Sequence, residues 1–409
     1  MLNPRKTAWF MWLIASIFYA YQYILRVVPS VIFEDIIQQF NMDTILFGQF
    51  SGVYYIGYSL MHIPLGIMLD KYGPKKILAF CTALSAAGVF PIIFAQQWIY
   101  PTAGRIITGM GSSAAILGVF KIIRMAFDEQ RFTRMLSFSI TIGLIGAIYG
   151  GAPVRSMCDV FGYRSALGVF IFVGFLLAIA IYIIIPETES HTDNSDQSMV
   201  SNIRDVFTNL KAMLLCVSAG LMVGPLEGFA DIWGPKFLEQ MCGIEKSTAS
   251  HLTSLIFIGM CFGAPVLNFI AEKLGHLKTI ILSGLIMFAV FLILVMKMLN
   301  TTSITICFII VGVCSAYQIL AVYKASTYVN KHIANLITTV ANMIIMTFGY
   351  IIHSTIGATI NLCNRSGISS AFCLGIAVIP AALLMGTIGF VIVFCMDARS
   401  KKNNLREMT

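Results

Sequence analysis

Four charged residues stand within stretches that are otherwise apolar: Arg26, Arg105, Glu227 and Asp231. A charge among apolar neighbours is costly unless it faces a cavity or another charge, so such residues mark solute or proton paths. Arg26 follows Tyr19, Gln22 and Tyr23 at seven, four and three residues, which puts all four on one helical face. Gly220, Gly224, Glu227 and Asp231 share a face in the same way. Arg26 lies 17 residues after Trp9 and Glu227 lies 16 after Lys211. That is about 25 and 24 Å of ideal helix, so the two sit at a similar depth. Were the two helices to face each other, which the spacing does not itself show, the guanidinium would receive a carboxylate by a forked charge-assisted bond and Glu227 would receive an ammonium. A zwitterion fits that pair. The four charges also sum to zero, so a permanent ion pair, Arg26 with Glu227 or Arg105 with Asp231, is the competing reading. A pair that opens when solute arrives satisfies both.

Two further polar faces flank these. Ser51, Tyr55, Tyr58 and His62 recur down one stretch, and Asn335, Thr339, Asn342, Gly349 and His353 down another. Tyrosines at this spacing close over a solute and amides bond its polar ends, although interhelical packing explains any one of them equally well. Candidate substrate contacts are therefore Arg26, Tyr19, Gln22, Tyr23, Tyr55, Tyr58, Glu227, Asp231 and Asn342. His62, His251 and His353 lack a metal-ligand spacing, and no metal site is expected. No HExxH, GxSxG or GxxxxGK[ST] pattern occurs, so no catalytic residues, cofactor or nucleotide-driven pump are expected. A proton is a candidate co-substrate, with His62, Glu227 or Asp231 as carrier.

These residues need a scaffold, and composition supplies it. Of 409 residues 58% are hydrophobic and 11% charged, with a mean hydropathy of +0.84. A globular soluble protein carries about 25% charge. Apolar runs fall near 8–31, 44–66, 77–97, 99–122, 135–156, 165–185, 209–235, 248–271, 278–299, 303–325, 335–360 and 368–396. Twelve helices of roughly 20 residues each account for them. Ala8 to Leu25 reads as a retained first helix, since no small-residue cleavage pattern follows it. The net charge of +8 comes from bases gathered at helix ends, a membrane pattern and not a nucleic-acid one. The ten cysteines are scattered among apolar runs and read as small hydrophobes.

Gly66-Ile67-Met68-Leu69-Asp70-Lys71-Tyr72-Gly73-Pro74-Lys75-Lys76 follows the second run. Glu272-Lys273-Leu274-Gly275-His276-Leu277-Lys278 follows the eighth, with an acid, a base and a glycine at the same spacing. Duplication of a six-helix unit is the simplest account. The first loop resembles the G-x-x-x-D-[RK]-x-G-x-[RK]-[RK] signature of the major facilitator superfamily at every fixed position. The second departs from it, with Glu272 for Asp and Asn268 for Gly. Arg105-Ile106-Ile107-Thr108-Gly109-Met110-Gly111 resembles the R-x-x-x-G-x-G pattern of that superfamily, and Gly143, Gly146, Gly150, Gly151 and Pro153 resemble its glycine-rich fifth helix. More narrowly, Tyr21 to Ser30, Phe50 to Tyr58 and Glu227 to Gly234 look like the intraphagosomal amino-acid transporters of intracellular proteobacteria.

The resemblance implies an all-α integral membrane protein with twelve transmembrane helices in two pseudo-symmetric six-helix halves. Helices one and seven would occupy equivalent places. The expected divisions are 1–186 for the first bundle, 187–208 for a cytoplasmic linker, 209–396 for the second bundle and 397–409 for a tail. Gly66, Asp70, Lys71, Gly73, Lys75, Lys76, Arg105, Gly109 and Arg124 are the expected gating and motif residues. Gly66 would allow close helix approach, Gly73 the turn, and Lys121 and Arg124 would meet Asp70. The expected function is secondary transport, by alternating access, of an amino acid or short peptide, with a proton as the candidate coupling ion. The alternatives are an organic-anion carrier, using Arg26 and Arg105, and a receptor that keeps the carrier fold. The expected setting is a monomer among membrane lipids, multi-pass in a bacterial inner membrane, with both termini cytoplasmic and no nucleic-acid partner.

Overall fold

The computed structural model describes residues 4–187, 204–330, 333–368 and 370–407. Most of the expected linker falls between them, outside the described residues. Among those described, twelve helices are long and apolar enough to cross a membrane. In order they are Thr7–Val31, Thr44–Tyr72, Pro74–Phe94, Ile99–Ala126, Arg134–Phe161, Tyr163–Ile184, Leu210–Cys242, Lys246–Leu274, His276–Val295, Thr301–Ser326, Leu336–Arg365 and Ala371–Arg399. The last helix continues into the expected tail 397–409 as far as Glu407. A short helix, Phe33–Phe40, joins the first and second spans. All ten cysteines are free.

The duplication read from the loops appears in the packing. Spans one and five, two and four, and three and six pack together in the first half. Seven and eleven, eight and ten, and nine and twelve pack in the second. The loop glycines Gly73 and Gly275 both take left-handed backbone angles, with φ of +74° and +88°. Glycine does this without the Cβ clash, which is why both copies keep it there. Large apolar side chains such as Phe172, Ile183 and Phe262 lie exposed on the outside of the bundle. A hydrocarbon solvent covers such a surface without the penalty water imposes.

The glycines of the fifth span meet the first. A Cβ on Gly143 would stand 2.6 Å from the Tyr19 ring, so the missing side chain gives Tyr19 its place. The halves meet along spans two and eleven and again along five and eight.

The seventh span departs from regular α geometry. Leu210–Leu221 is an α-helix, Gly224–Trp233 winds as a π-helix, and Gly234–Cys242 is α again. Pro225 and Pro235 bracket the wide segment. Proline removes an i→i−4 donor, so the ladder re-forms most readily with a different step at those points. The change of winding separates residues that an unbroken α-helix would align. Gly220 packs toward Phe348 and Gly224 toward Ile379, so the expected single face with Glu227 and Asp231 is not formed.

Candidate functional site

Arg26 is the hub of a buried cluster between the halves. Its Nε donates to Asp231 Oδ2 at 2.5 Å, and its Nη2 lies 3.4 Å from Glu227 Oε1. Arg26, Glu227 and Asp231 are 4%, 1% and 0% exposed. The Arg26 guanidinium lies over the Tyr23 ring at 4.8 Å and the Tyr55 ring at 5.3 Å. The Tyr55 hydroxyl donates to Asp231 Oδ2. Gln318, on the tenth span, donates to Glu227 Oε2 at 3.2 Å. Two atoms of this cluster, Arg26 Nη2 and Asp231 Oδ1, are buried without a hydrogen bond. Buried polar atoms in native proteins are nearly all bonded, so two such exceptions in one ion cluster call for an explanation.

Of the two structural pairs weighed from sequence, Arg26 with Glu227 is present and Arg105 with Asp231 is not. Arg105 instead donates from Nη1 to the Leu25 carbonyl at 2.8 Å. The cause is covalent. Leu25 O would ordinarily accept from residue 29, which is proline and has no N–H. Arg105 supplies the missing donor while its guanidinium lies 4.9 Å from the Tyr54 ring. It thereby holds the first span at the residue before Arg26.

The aromatic wall is shared between the halves. Tyr54 donates to Gln22 Oε1 at 2.7 Å, and Tyr19 packs edge-on to Tyr23 at 5.2 Å. His353 stacks on Tyr55 at 5.6 Å and accepts at Nδ1 from Trp233 Nε1 at 3.1 Å. Gly349 lies beneath the Tyr55 ring, where a Cβ would approach it to 2.8 Å. His62 stacks on Tyr58 at 5.3 Å and its Nε2 lies 3.1 Å from Asn342 Nδ2, across the halves. Thus Tyr19, Gln22, Tyr23, Tyr55, Arg26, Glu227 and Asp231 come together, while Tyr58 and Asn342 meet around His62. The side chain of Asn335 lies outside those described. Sequence reasoning passed over Gln318, although an amide inside an apolar run is the same kind of signal that marked Glu227.

The two ends of the molecule are tied differently. At one end Glu34 accepts from Lys236 at 2.5 Å and from Lys246 at 2.6 Å, and Asn361 donates to Asp43 at 2.6 Å. Each of these joins one half to the other. At the lysine-rich end the ion pairs stay within a half: Lys121 with Asp70 at 2.7 Å, Lys76 with Glu187 at 2.5 Å, and Lys324 with Asp397 at 3.2 Å. The described structure is thus clasped at the end opposite the lysine-rich loops.

The motif residues divide. Lys121 meets Asp70 as expected, whereas Arg124 lies over the Phe132 ring at 5.6 Å and not on Asp70. Lys71 lies over Tyr72 and Lys75 over Tyr182, at 5.4 and 4.7 Å. Gly109 packs against the Tyr54 backbone. Around Gly66 there is open space where a Cβ would stand, so the close approach expected there is not made in this conformation. Gly73, seven residues on at the end of the same span, provides the turn.

Comparison with known proteins agrees with this architecture. The profile of the Major Facilitator Superfamily matches residues 11–354. An uncharacterized protein of Campylobacter jejuni is 24% identical over 53% of this chain and 68% of its own. The nitrite extrusion protein of Bacillus subtilis is 22% identical over 56% of this chain and 58% of its own. The citrate-proton symporter of Klebsiella pneumoniae is 23% identical over 56% and 55%. The chain thus spans little more than half the length of the latter two. Among solved structures, the nucleoside transporter NupG superposes with a TM-score of 0.76 at 15% identity, covering 96% of this chain and 99% of that one. A bacterial homolog of the human lysosomal transporter Spinster, inward-facing and unoccupied, gives 0.72 at 16% identity over 96% of both. At these identities the structures speak to the fold alone.

Proposed function

The chain belongs to the Major Facilitator Superfamily, whose members are secondary carriers and not enzymes, and we propose that its solute is a small zwitterion, an amino acid or short peptide, received between Arg26 and the carboxylates of Glu227 and Asp231. The observation that carries this is the doubly bridged Arg26, whose Nη2 has the ion-pair contact with Glu227 and no hydrogen bond, beside an Asp231 whose Oδ1 has no hydrogen bond. Removing one member of a buried ion pair costs about 3–5 kcal/mol because the other charge is left without a partner. A zwitterion avoids that cost. Its carboxylate takes Arg26 as its ammonium takes Asp231 and Glu227, and the net buried charge is unchanged. A lone anion or a lone cation satisfies only one side.

The same pair joins the first span to the seventh, so exchanging its partners loosens the halves where they must separate. Alternating access follows when the solute favours the two states unequally. A proton on either carboxylate would release Arg26 by the same logic, which makes a proton the candidate co-substrate. By the positive-inside rule the lysine-rich loops face the cytoplasm, along with both termini. The clasped end then faces outward in the inner membrane of a bacterium, and a monomer contains the whole site.

The organic-anion reading draws support from relatives named for nitrite and citrate. Against it, Arg105 is committed to the Leu25 carbonyl, and Glu227 and Asp231 repel an anion at Arg26. The test is uptake of a labelled amino-acid panel into proteoliposomes, with and without an inward proton gradient. Saturable uptake that Arg26→Ala and Glu227→Gln both abolish is the expected result. Uptake of organic acids with none of amino acids or dipeptides would overturn the substrate assignment and leave the fold untouched.

A further inference from the structure

Glu34 does more than touch the opposite half. It stands at the start of the short helix Phe33–Phe40, and its two carboxylate oxygens each meet a different lysine of the second half. Lys236 is 8% exposed and Lys246 begins the eighth span. Within its own half Lys236 also meets Glu239 at 3.2 Å. The acid nearest Lys246 in sequence, Glu245, is committed to capping its helix through the Ser247 and Thr248 amides. Without Glu34, two ammoniums would share one carboxylate.

The space around this cluster is tight, and Glu34, Glu239, Lys236 and Lys246 all line it. The cleft beside Glu34 encloses about 10 Å3, the room one water needs. Ser30 lines it, with its buried Oγ unpartnered. Arg155, also on the wall, is already bound to the Val31 carbonyl and Asp159. Below the cleft Phe33, Phe47 and Trp233 form an aromatic seal, with ring centres 4.4 to 6.0 Å apart. Beyond that seal lies Asp231, five residues before Lys236, which is under about 8 Å of helix.

We propose that Lys236 and Lys246 form a receiving site for the carboxylate of the solute at this mouth, and that Glu34 is its built-in stand-in, seated there while the mouth is closed. Glu34 belongs to the first half and must leave with it when the halves part. The lysines stay behind on the second half with one net positive charge and a vacated bidentate position. An incoming carboxylate takes that position, delays the return of Glu34, and has a short path through the aromatic seal to Arg26. The inference rests on the reading that the solute carries a carboxylate.

Spin labels at the exposed Gln38 and Gln240, one in each half, report the opening of this mouth in proteoliposomes. Millimolar propionate should lengthen the distance between them, and propylammonium chloride should not. Lys236→Gln with Lys246→Gln should abolish the propionate response and raise KM for amino-acid uptake several-fold with kcat little changed. Glu34→Gln should lower KM, because the competitor is gone. A Glu34→Gln variant whose labels move apart while KM stays the same or rises would reduce Glu34 to a structural tie and overturn the proposal. A propionate response without any amino-acid uptake would keep the mouth site and discard the central reading. Amino-acid uptake through Arg26 with no propionate response would do the reverse.

Discussion

The site depends on which charges hold which. Arg26 meets two carboxylates at once, and a fork of planar donors is what makes that possible. Arg26→Lys keeps the charge and loses the fork, so uptake should fall at least tenfold with protein still present in the membrane. Arg26→Gln should lower the thermal midpoint of the detergent-solubilised protein, and adding Asp231→Asn should recover part of the loss, because the first change leaves two buried carboxylates without their cation and the second removes one of them. Strict additivity of the two losses would refute the pairing. At the mouth, bonding to Lys236 and Lys246 holds the Glu34 carboxyl down to about 2, from a usual 4.5. A depressed carboxylate contributes fully above its ordinary value and loses its contribution only as pH falls through the lower one. Closure measured by the same pair of labels should therefore be unchanged between pH 8 and pH 5. A mouth that opens near pH 6 would show that another group controls it.

At the scale of elements, prolines and glycines decide where the site stands. Pro29 leaves the Leu25 carbonyl without its helical partner, and Arg105 takes the vacancy. Pro29→Ala returns the amide, so Arg105→Gln should cost much less uptake in that background than alone. Equal losses in both backgrounds would give Arg105 a role apart from the carbonyl. Legibility varied with the physics at this scale. The spans were readable because long apolar runs bounded by charges have few alternatives. Each charged site residue was readable because it interrupts such a run. Their pairing was not, since whether Arg26 meets Asp231 or only Glu227 depends on the rotation of two distant helices. The π-helical segment was hidden as well: Gly224 to Trp233 has the spacing of an ordinary helix, and only the flanking prolines hint at a change of step. Glu34 was the least visible, because an acid beside Asp35 in a polar loop reads as a solvated pair.

For the whole molecule, the two ends and the centre form one device. The halves are clasped at Glu34 and Asp43, sealed by aromatic rings, and joined at the centre by the Arg26 cluster. The lysine-rich end has its ion pairs confined within each half, so separation there breaks none of those described. A solute that takes the position of the clasp at the mouth and then replaces the central pair reverses this arrangement. Competition shows whether both charges of the solute are recognised together. Uptake of a transported amino acid would be challenged with the same compound lacking its carboxylate and with the same compound lacking its amine. Joint recognition means that neither analogue competes at concentrations where the intact amino acid does. Full competition by the acid lacking its amine would contradict it and transfer the site to organic anions.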